Sequence, residues 1–247
     1  MARIHHEVHR SGESTPLLLT HGFASSSHAW ALTVDAFAPT RRCITWDVRG
    51  HGRSDYPPDP AAYSIPLAVG DMERLLDEAG VERAVLVGHS MGGYLSLEFH
   101  RRHPSRVAGL VLVGTGPGFR KDDARDGWNK ICDRYATTFE AKGVDGLPKT
   151  EEVDPSVHRG VDGLILAARG ILRQRDAGVI DSLPGIAVPT LVVVGENDKP
   201  FLAGSDYMAA KIPGARKVVI EGAPHAPMLT HPESFGAEVA AFLKEVD

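Results

Sequence analysis

The chain carries only two cysteines in 247 residues, Cys43 and Cys132. Cys43 lies in a strand-like run and Cys132 in a helix-like one, with no Cys-x-x-Cys pair. Neither a disulfide framework nor a cysteine-built metal centre is expected, and a reducing compartment suits both thiols. Charge of one sign is scarce as well. The net charge is −5, with Lys and Arg scattered among Asp and Glu. Without a basic stripe, nucleic acid is excluded as the expected partner. The densest basic run, His100-Arg101-Arg102-His103 before Pro104, reads as the solvated, dipole-compensating end of a helix. No apolar run approaches the length of a membrane span. The charged start, MARIHHEVHR, lacks the apolar stretch of a secretion signal. The expectation is a soluble, cytoplasmic protein that uses neither a membrane nor nucleic acid. His5, His6 and His9 invite a metal reading, but no further ligand set accompanies them, so neither metal nor cofactor is expected.

What is present is ordinary globular material, 43% apolar and 24% charged, enough for one large domain or a domain with an insertion. Short β-type runs alternate with helical patterns. Leu17 to Thr20, Cys43 to Asp47, Ala84 to Gly88, Val107 to Gly114, Thr190 to Gly195 and Arg216 to Ile220 are the predicted strands. Several are near-continuous in Val, Leu and Ile, as parallel strands buried on both faces require. Between them, Ser64 caps a helix with Met72, Leu75, Leu76 and Ala79 on one face and Gly80 at its end. Another follows Ser90 and stops near Pro104. A last one starts near Pro232 and turns Phe235, Val239, Phe242 and Leu243 inward. This alternation predicts an α/β fold, a mostly parallel sheet flanked by helices.

Residues 116–189 break the alternation. They hold no convincing strand and are too many for a plain loop. Helices are expected over roughly Asp122 to Lys142 and Pro155 to Gln174, with a small turn around Ile180. The predicted organisation is a core in two parts, 1–115 and 190–247, with 116–189 as a helical cap.

Gly88-His89-Ser90-Met91-Gly92 matches G-x-S-x-G between a strand and a helix. Two readings are open for its serine. It is either a helix N-cap or a nucleophile held on a strained turn, with the free N–H groups and positive end of the helix beside it. A nucleophilic hydroxyl needs a base, and the base an orienting carboxylate. The strand Thr190 to Gly195 runs into Glu196-Asn197-Asp198, and Arg216 to Ile220 into Glu221-Gly222-Ala223-Pro224-His225. Functional groups of such sheets gather at strand C-termini. Asp198 has a rival in Glu196, and His225 one in His231. Thr20-His21-Gly22-Phe23 follows another strand, so the N–H groups of Phe23 and Met91 could form a pair of oxyanion donors.

Five ordered segments, "LLLTHGF", "DVRGHGRSD", "VGHSMGG", "LVVVGENDKP" and "GAPHAP", make the chain resemble the α/β-hydrolase fold superfamily, in its serine-nucleophile, esterase-like branch, over nearly its whole length. The resemblance implies Ser90 as nucleophile, His225 as base, Asp198 rather than Glu196 as the acid, and the N–H groups of Phe23 and Met91 as the oxyanion hole. It also implies a lid over 116–189 and a short N-terminal strand region lacking the family's first strand. Dehalogenases and epoxide hydrolases of this fold put Asp where Ser90 stands and are set aside. The fold alone does not fix a reaction. The expected function is hydrolysis of carboxylic esters of small to medium, fairly apolar substrates. Carbon–carbon bond or enol-lactone hydrolysis in aromatic degradation is the alternative, and a binding protein on a hydrolase scaffold a second one. Acidic ring-fission substrates would need a cation near Ser90, and Arg120, Arg125 and Arg134 are candidate sources. Trp30, Phe119, Trp128, Tyr135, Phe201, Met228 and Leu229 are candidate pocket residues, though core packing is the simpler role for each. Arg49, His51 and Arg53 are expected to hold a framework loop.

Overall fold

The computed structural model describes residues 2–9 and 12–247. Its strands, in chain order, are β1 (His6–His9), β2 (Ser14–Thr20), β3 (Arg41–Trp46), β4 (Ala84–His89), β5 (Val107–Val113), β6 (Thr190–Gly195) and β7 (Arg216–Ile220). The helices are α1 (Ala31–Phe37), α2 (Ile65–Glu78), α3 (Met91–Arg102), α4 (Asp122–Lys142), α5 (Asp162–Ala167), α6 (Gly178–Ser182), α7 (Lys199–Lys211), α8 (Pro227–Thr230) and α9 (Pro232–Leu243). The sheet order is β1-β3-β2-β4-β5-β6-β7, with β1 antiparallel to β3 and every other pair parallel.

Alternation along the central strands divides the core in two. Leu18, Ile44, Leu86, Leu110, Leu112 and Val192 face α2, α3 and part of the β5–β6 connection. Leu17, Leu19, Val85, Val87, Val111 and Val193 face the other way, onto Val34 and Phe37 of α1 and Phe235, Val239, Phe242 and Leu243 of α9. Apolar residues on both faces are what a parallel sheet covered by helices on each side demands. Ser64 caps α2 as expected, its Oγ accepting from the Leu67 N–H, and Met72, Leu75 and Leu76 are fully buried. The basic run at the end of α3 is less solvated than its composition implies. Arg101 and Arg102 both bond Glu98, at 2.7 and 2.6 Å, and His100 is buried.

The stretch with His5, His6 and His9 reads in the sequence as a strand or an N-terminal tail, and His6–His9 form the strand β1. One expectation needs correction. The helix expected from Pro155 to Gln174 is broken into a 3-10 turn at Pro155–Val157, α5, and a π turn at Ala168–Leu172. Backbone approach marks the π turn: a Cβ on Gly170 would overlap the Tyr63 carbonyl oxygen, so the chain is pressed onto the body there. Among the described residues, no helix is long and apolar enough to cross a membrane, and no group of three His, Cys, Asp or Glu side chains could hold a metal.

Gly127, exposed in α4, has open space where a Cβ would be. Gly127→Ala should therefore stabilise by about 0.5–1 kcal/mol, the usual helix-propensity gain. Gly170→Ala should destabilise by about 1–3 kcal/mol through overpacking. Urea titration of both variants checks the opposite signs, and equal effects would contradict the close approach at Tyr63.

Candidate active site

The site is built on the turn from β4 into α3. Ser90 adopts φ 52° and ψ −115°, a left-handed conformation costly for a residue with a side chain. Its backbone is held from several directions. The Ser90 N–H donates to the Val113 carbonyl at 2.8 Å, and the Ser90 carbonyl accepts from the Gly93 N–H at 3.0 Å and the Thr115 hydroxyl at 2.7 Å. The Ser90 side chain makes no capping bond to α3, so its hydroxyl is not spent as an N-cap. A Cβ on Gly92 would overlap the Thr20 carbonyl, which is why the turn can lie against the end of β2.

His225 and Asp198 stand at the ends of two further strands. Asp198 Oδ2 lies 2.8 Å from His225 Nδ1, with the Asp198 side chain 3% exposed and that of His225 25%. A carboxylate can only accept, so Nδ1 carries the proton and Nε2 keeps a lone pair that can take one. The imidazole is clasped by Phe201, stacked at 4.8 Å, and by His89, tilted at 4.6 Å. A Cβ on Gly114 would come within 3.1 Å of both Asp198 Oδ2 and His225 Nδ1. Val113 accepts from the Ser90 N–H and Gly114 leaves room for the Asp198–His225 pair, so consecutive residues at the end of β5 adjoin both the serine turn and the imidazole. The rivals have other work. Glu196 accepts from the Gly222 N–H at 2.8 Å on the surface, and His231 bonds Thr230.

Gly22 runs against the elbow: its Cβ would lie 3.3 Å from Ser90 Cβ. Met91 begins α3, and neither its N–H nor that of Phe23 has a protein acceptor among the described residues. His21 braces this loop. Its Nε2 accepts from the Val48 N–H at 2.9 Å, which leaves Nδ1–H to donate to the Gly22 carbonyl at 2.7 Å. The framework loop is anchored as the sequence implied. Arg49 pairs with buried Asp71 at 2.8 Å, and Asp47 accepts from the Ser27 and Arg53 N–H groups.

The aromatic candidates divide. Trp30 and Met228 are fully buried in the core cluster that includes α1 and α9, the simpler of the two roles the sequence offers them. The mouth of the Gly22 loop is covered by α4: Tyr135 and Phe139 lie 5.6 and 6.0 Å from the Phe23 ring. Trp128 turns inward and donates to the Leu172 carbonyl, tying α4 to the rest of the β5–β6 connection. Phe201 touches His225 itself, Leu229 packs on the α1–α9 face, and Phe119 is exposed. A broad surface cleft of about 740 Å³, lined by Arg49, Asp55, Tyr56 and Arg159, does not include Ser90.

His89 was quoted within the motif without a role. Its Nε2–H donates to the His225 carbonyl at 3.0 Å, so it fixes the loop carrying the imidazole. The signal available was its place beside the serine at the end of a buried strand. Burial drives His21 down to about 4, and holds His51 and His89 well below the ordinary histidine range.

Comparison with known proteins gives the following. A family model described as alpha/beta hydrolase fold matches residues 15–145. A Bacillus subtilis protein named provisionally as a 2-succinyl-6-hydroxy-2,4-cyclohexadiene-1-carboxylate synthase is 30% identical over 94% of this chain and 92% of its own. The 2-hydroxymuconate semialdehyde hydrolase of Pseudomonas sp. CF600 is 30% identical over all of this chain and 93% of its own. The solved structure of a thermophilic esterase from Thermogutta terrifontis, with malate bound, superposes with a TM-score of 0.82 at 26% identity, covering 99% of this chain and 94% of that one.

The buried histidines make folding sensitive to acid. They titrate near 6.5 when unfolded and lower when folded, so below pH 6.5 the unfolded chain binds more protons and stability falls with falling pH. His21 alone should cost about 2 kcal/mol by pH 5, at about 1.4 kcal/mol per pH unit. Urea midpoints at pH 7.5 and 5 check this, and an unchanged midpoint would contradict neutral burial.

Proposed function

Because this chain belongs to the alpha/beta hydrolase fold family and is a hydrolase, we propose that it cleaves carboxylic esters of small to medium, fairly apolar substrates through an acyl-enzyme on Ser90. One observation carries the reading: a left-handed Ser90 with an unspent hydroxyl shares the β5 end with a buried Asp198–His225 pair. His225 Nε2 takes the Ser90 proton as the oxygen attacks the ester carbonyl. The N–H groups of Phe23 and Met91 receive the oxyanion. The tetrahedral intermediate expels the alcohol, which leaves with the proton from His225. Water, deprotonated by the same imidazole, then releases the acid and restores Ser90. Asp198 keeps the tautomer and stabilises the imidazolium.

Carbon–carbon bond hydrolysis is the second reading, favoured by the 30% identity to the semialdehyde hydrolase. The arginines weigh against it. Arg120 pairs with Asp181 and Arg125 with Asp122, both in exposed bonds, and Arg134 is exposed on α4. None of the three supplies the buried, free cation that an acidic ring-fission product would require.

A panel of aryl esters of rising chain length, a lactone and a ring-cleavage diketone separates the readings. Ester turnover is expected, and Ser90→Ala should lower it by a factor on the order of 10⁴ or more. Equal rates for wild type and Ser90→Ala would overturn the acyl-enzyme. Turnover of the diketone alone would promote carbon–carbon cleavage, and failure of a fluorophosphonate to label Ser90 with no ester hydrolysed would favour a binding protein.

A further inference from the structure

His158 lies in the β5–β6 connection, just after the turn at Pro155–Val157. Its ring bridges two loops of the sheet's C-terminal end. Gly52 N–H donates to Nδ1 at 3.1 Å, which leaves Nε2–H to donate to the Ala24 carbonyl at 3.0 Å. The tautomer is thereby fixed, and only the neutral ring can make both bonds. Burial favours that form and lowers the pKa of His158. The Tyr56 hydroxyl lies 3.4 Å from Nδ1, and the ring meets His51 edge-on at 6.2 Å. His51 in turn packs against Phe23 at 5.6 Å and His21 at 5.2 Å.

The acceptor of this bridge is unusual. Ala24 is buried with φ 58°, and it and Ser90 are the two non-glycine residues with positive φ among those described. Such a conformation persists only where its surroundings over-determine it. Ala24 directly follows Phe23, whose N–H is one of the two free donors beside Ser90. That N–H lies in the Gly22–Phe23 peptide plane, whose Gly22 carbonyl is held by His21 on one side, while the bond from His158 to the Ala24 carbonyl anchors the chain on the other side of Phe23. An oxyanion donor works only when aimed beforehand.

We infer that His158 is a positioning residue for hydrolysis, holding the Ala24 carbonyl so that the Phe23 N–H points at the developing oxyanion. The inference rests on the acyl-enzyme reading above. The β5–β6 connection thus contributes to the reaction through one bond as well as through the apolar cover of Tyr135 and Phe139 on Phe23.

Two variants separate positioning from mere packing. His158→Phe keeps a ring against His51 and removes both bonds. His158→Gln keeps a side-chain N–H that can reach Ala24. Both are assayed on an aryl butyrate, with active sites counted by a fluorophosphonate and folding followed by thermal denaturation. An alkyl trifluoromethyl ketone reports on the oxyanion, since its hemiketal adduct places O⁻ between the donors. His158→Phe should lower kcat per titrated site about 10–100-fold with KM changed less than about threefold, and weaken the ketone in proportion. His158→Gln should recover most of the loss. Unchanged kcat per titrated site in His158→Phe, a loss confined to KM, or equal losses in both variants with full ketone affinity would each overturn the inference. If Ser90→Ala is inactive while His158→Phe behaves as wild type, only the role of His158 fails. If Ser90→Ala still turns over the ester, the acyl-enzyme fails and this inference with it.

Discussion

Between Gly92 and the Thr20 carbonyl there is no room for a methyl group, and that contact sets the rest of the site. It lets the first turn of α3 lie against the end of β2, which brings the start of α3 at Met91 and the Gly22–Phe23 loop together at Ser90. The same compression forces Ser90 into its left-handed conformation. The strain is held by bonds to Val113, Gly93 and Thr115, all of them on its backbone. The hydroxyl makes no capping bond to α3.

Electrostatics follows from how the charges are distributed among the histidines. Three buried imidazoles, His21, His51 and His89, are kept neutral by burial and serve as neutral donors or acceptors in the loops. His225 differs from them. It alone combines a buried carboxylate partner with partial exposure of its ring. A positive charge formed there has a carboxylate within hydrogen-bond reach. His89 links the two sets, since it precedes Ser90 and donates to the His225 carbonyl.

Much of this was legible in the chain. The runs at Leu17, Ala84, Val107 and Thr190 announced parallel strands because both faces are buried, so no alternation was needed to find them. Ser90 and Asp198 stand out because each follows such a strand, and His225 because it follows the half-exposed β7. β1 was legible only as a strand or a tail, since its half-exposed HEVH carries no apolar run. For Trp30 and Met228 composition says that a residue is apolar and not which face of the sheet it covers, which is the α1–α9 face. The π turn at Gly170 lies against the Tyr63 carbonyl, about a hundred residues earlier, a contact that no local period encodes. His158 was invisible for the same reason: its partners, Ala24 and Gly52, lie in other loops.

The central claim is that Ser90 becomes covalently acylated by substrate. It is tested most directly by rapid mixing with an aryl ester, acid quench, and peptide mass mapping of the quenched protein. An activated leaving group makes the second step slow enough for the intermediate to collect. Acylation of Ser90 predicts a burst of phenol close to one per active site, and a peptide containing Ser90 heavier by one acyl group. Steady turnover of the ester with no burst, and with the Ser90 peptide unmodified at every quench time, would contradict it.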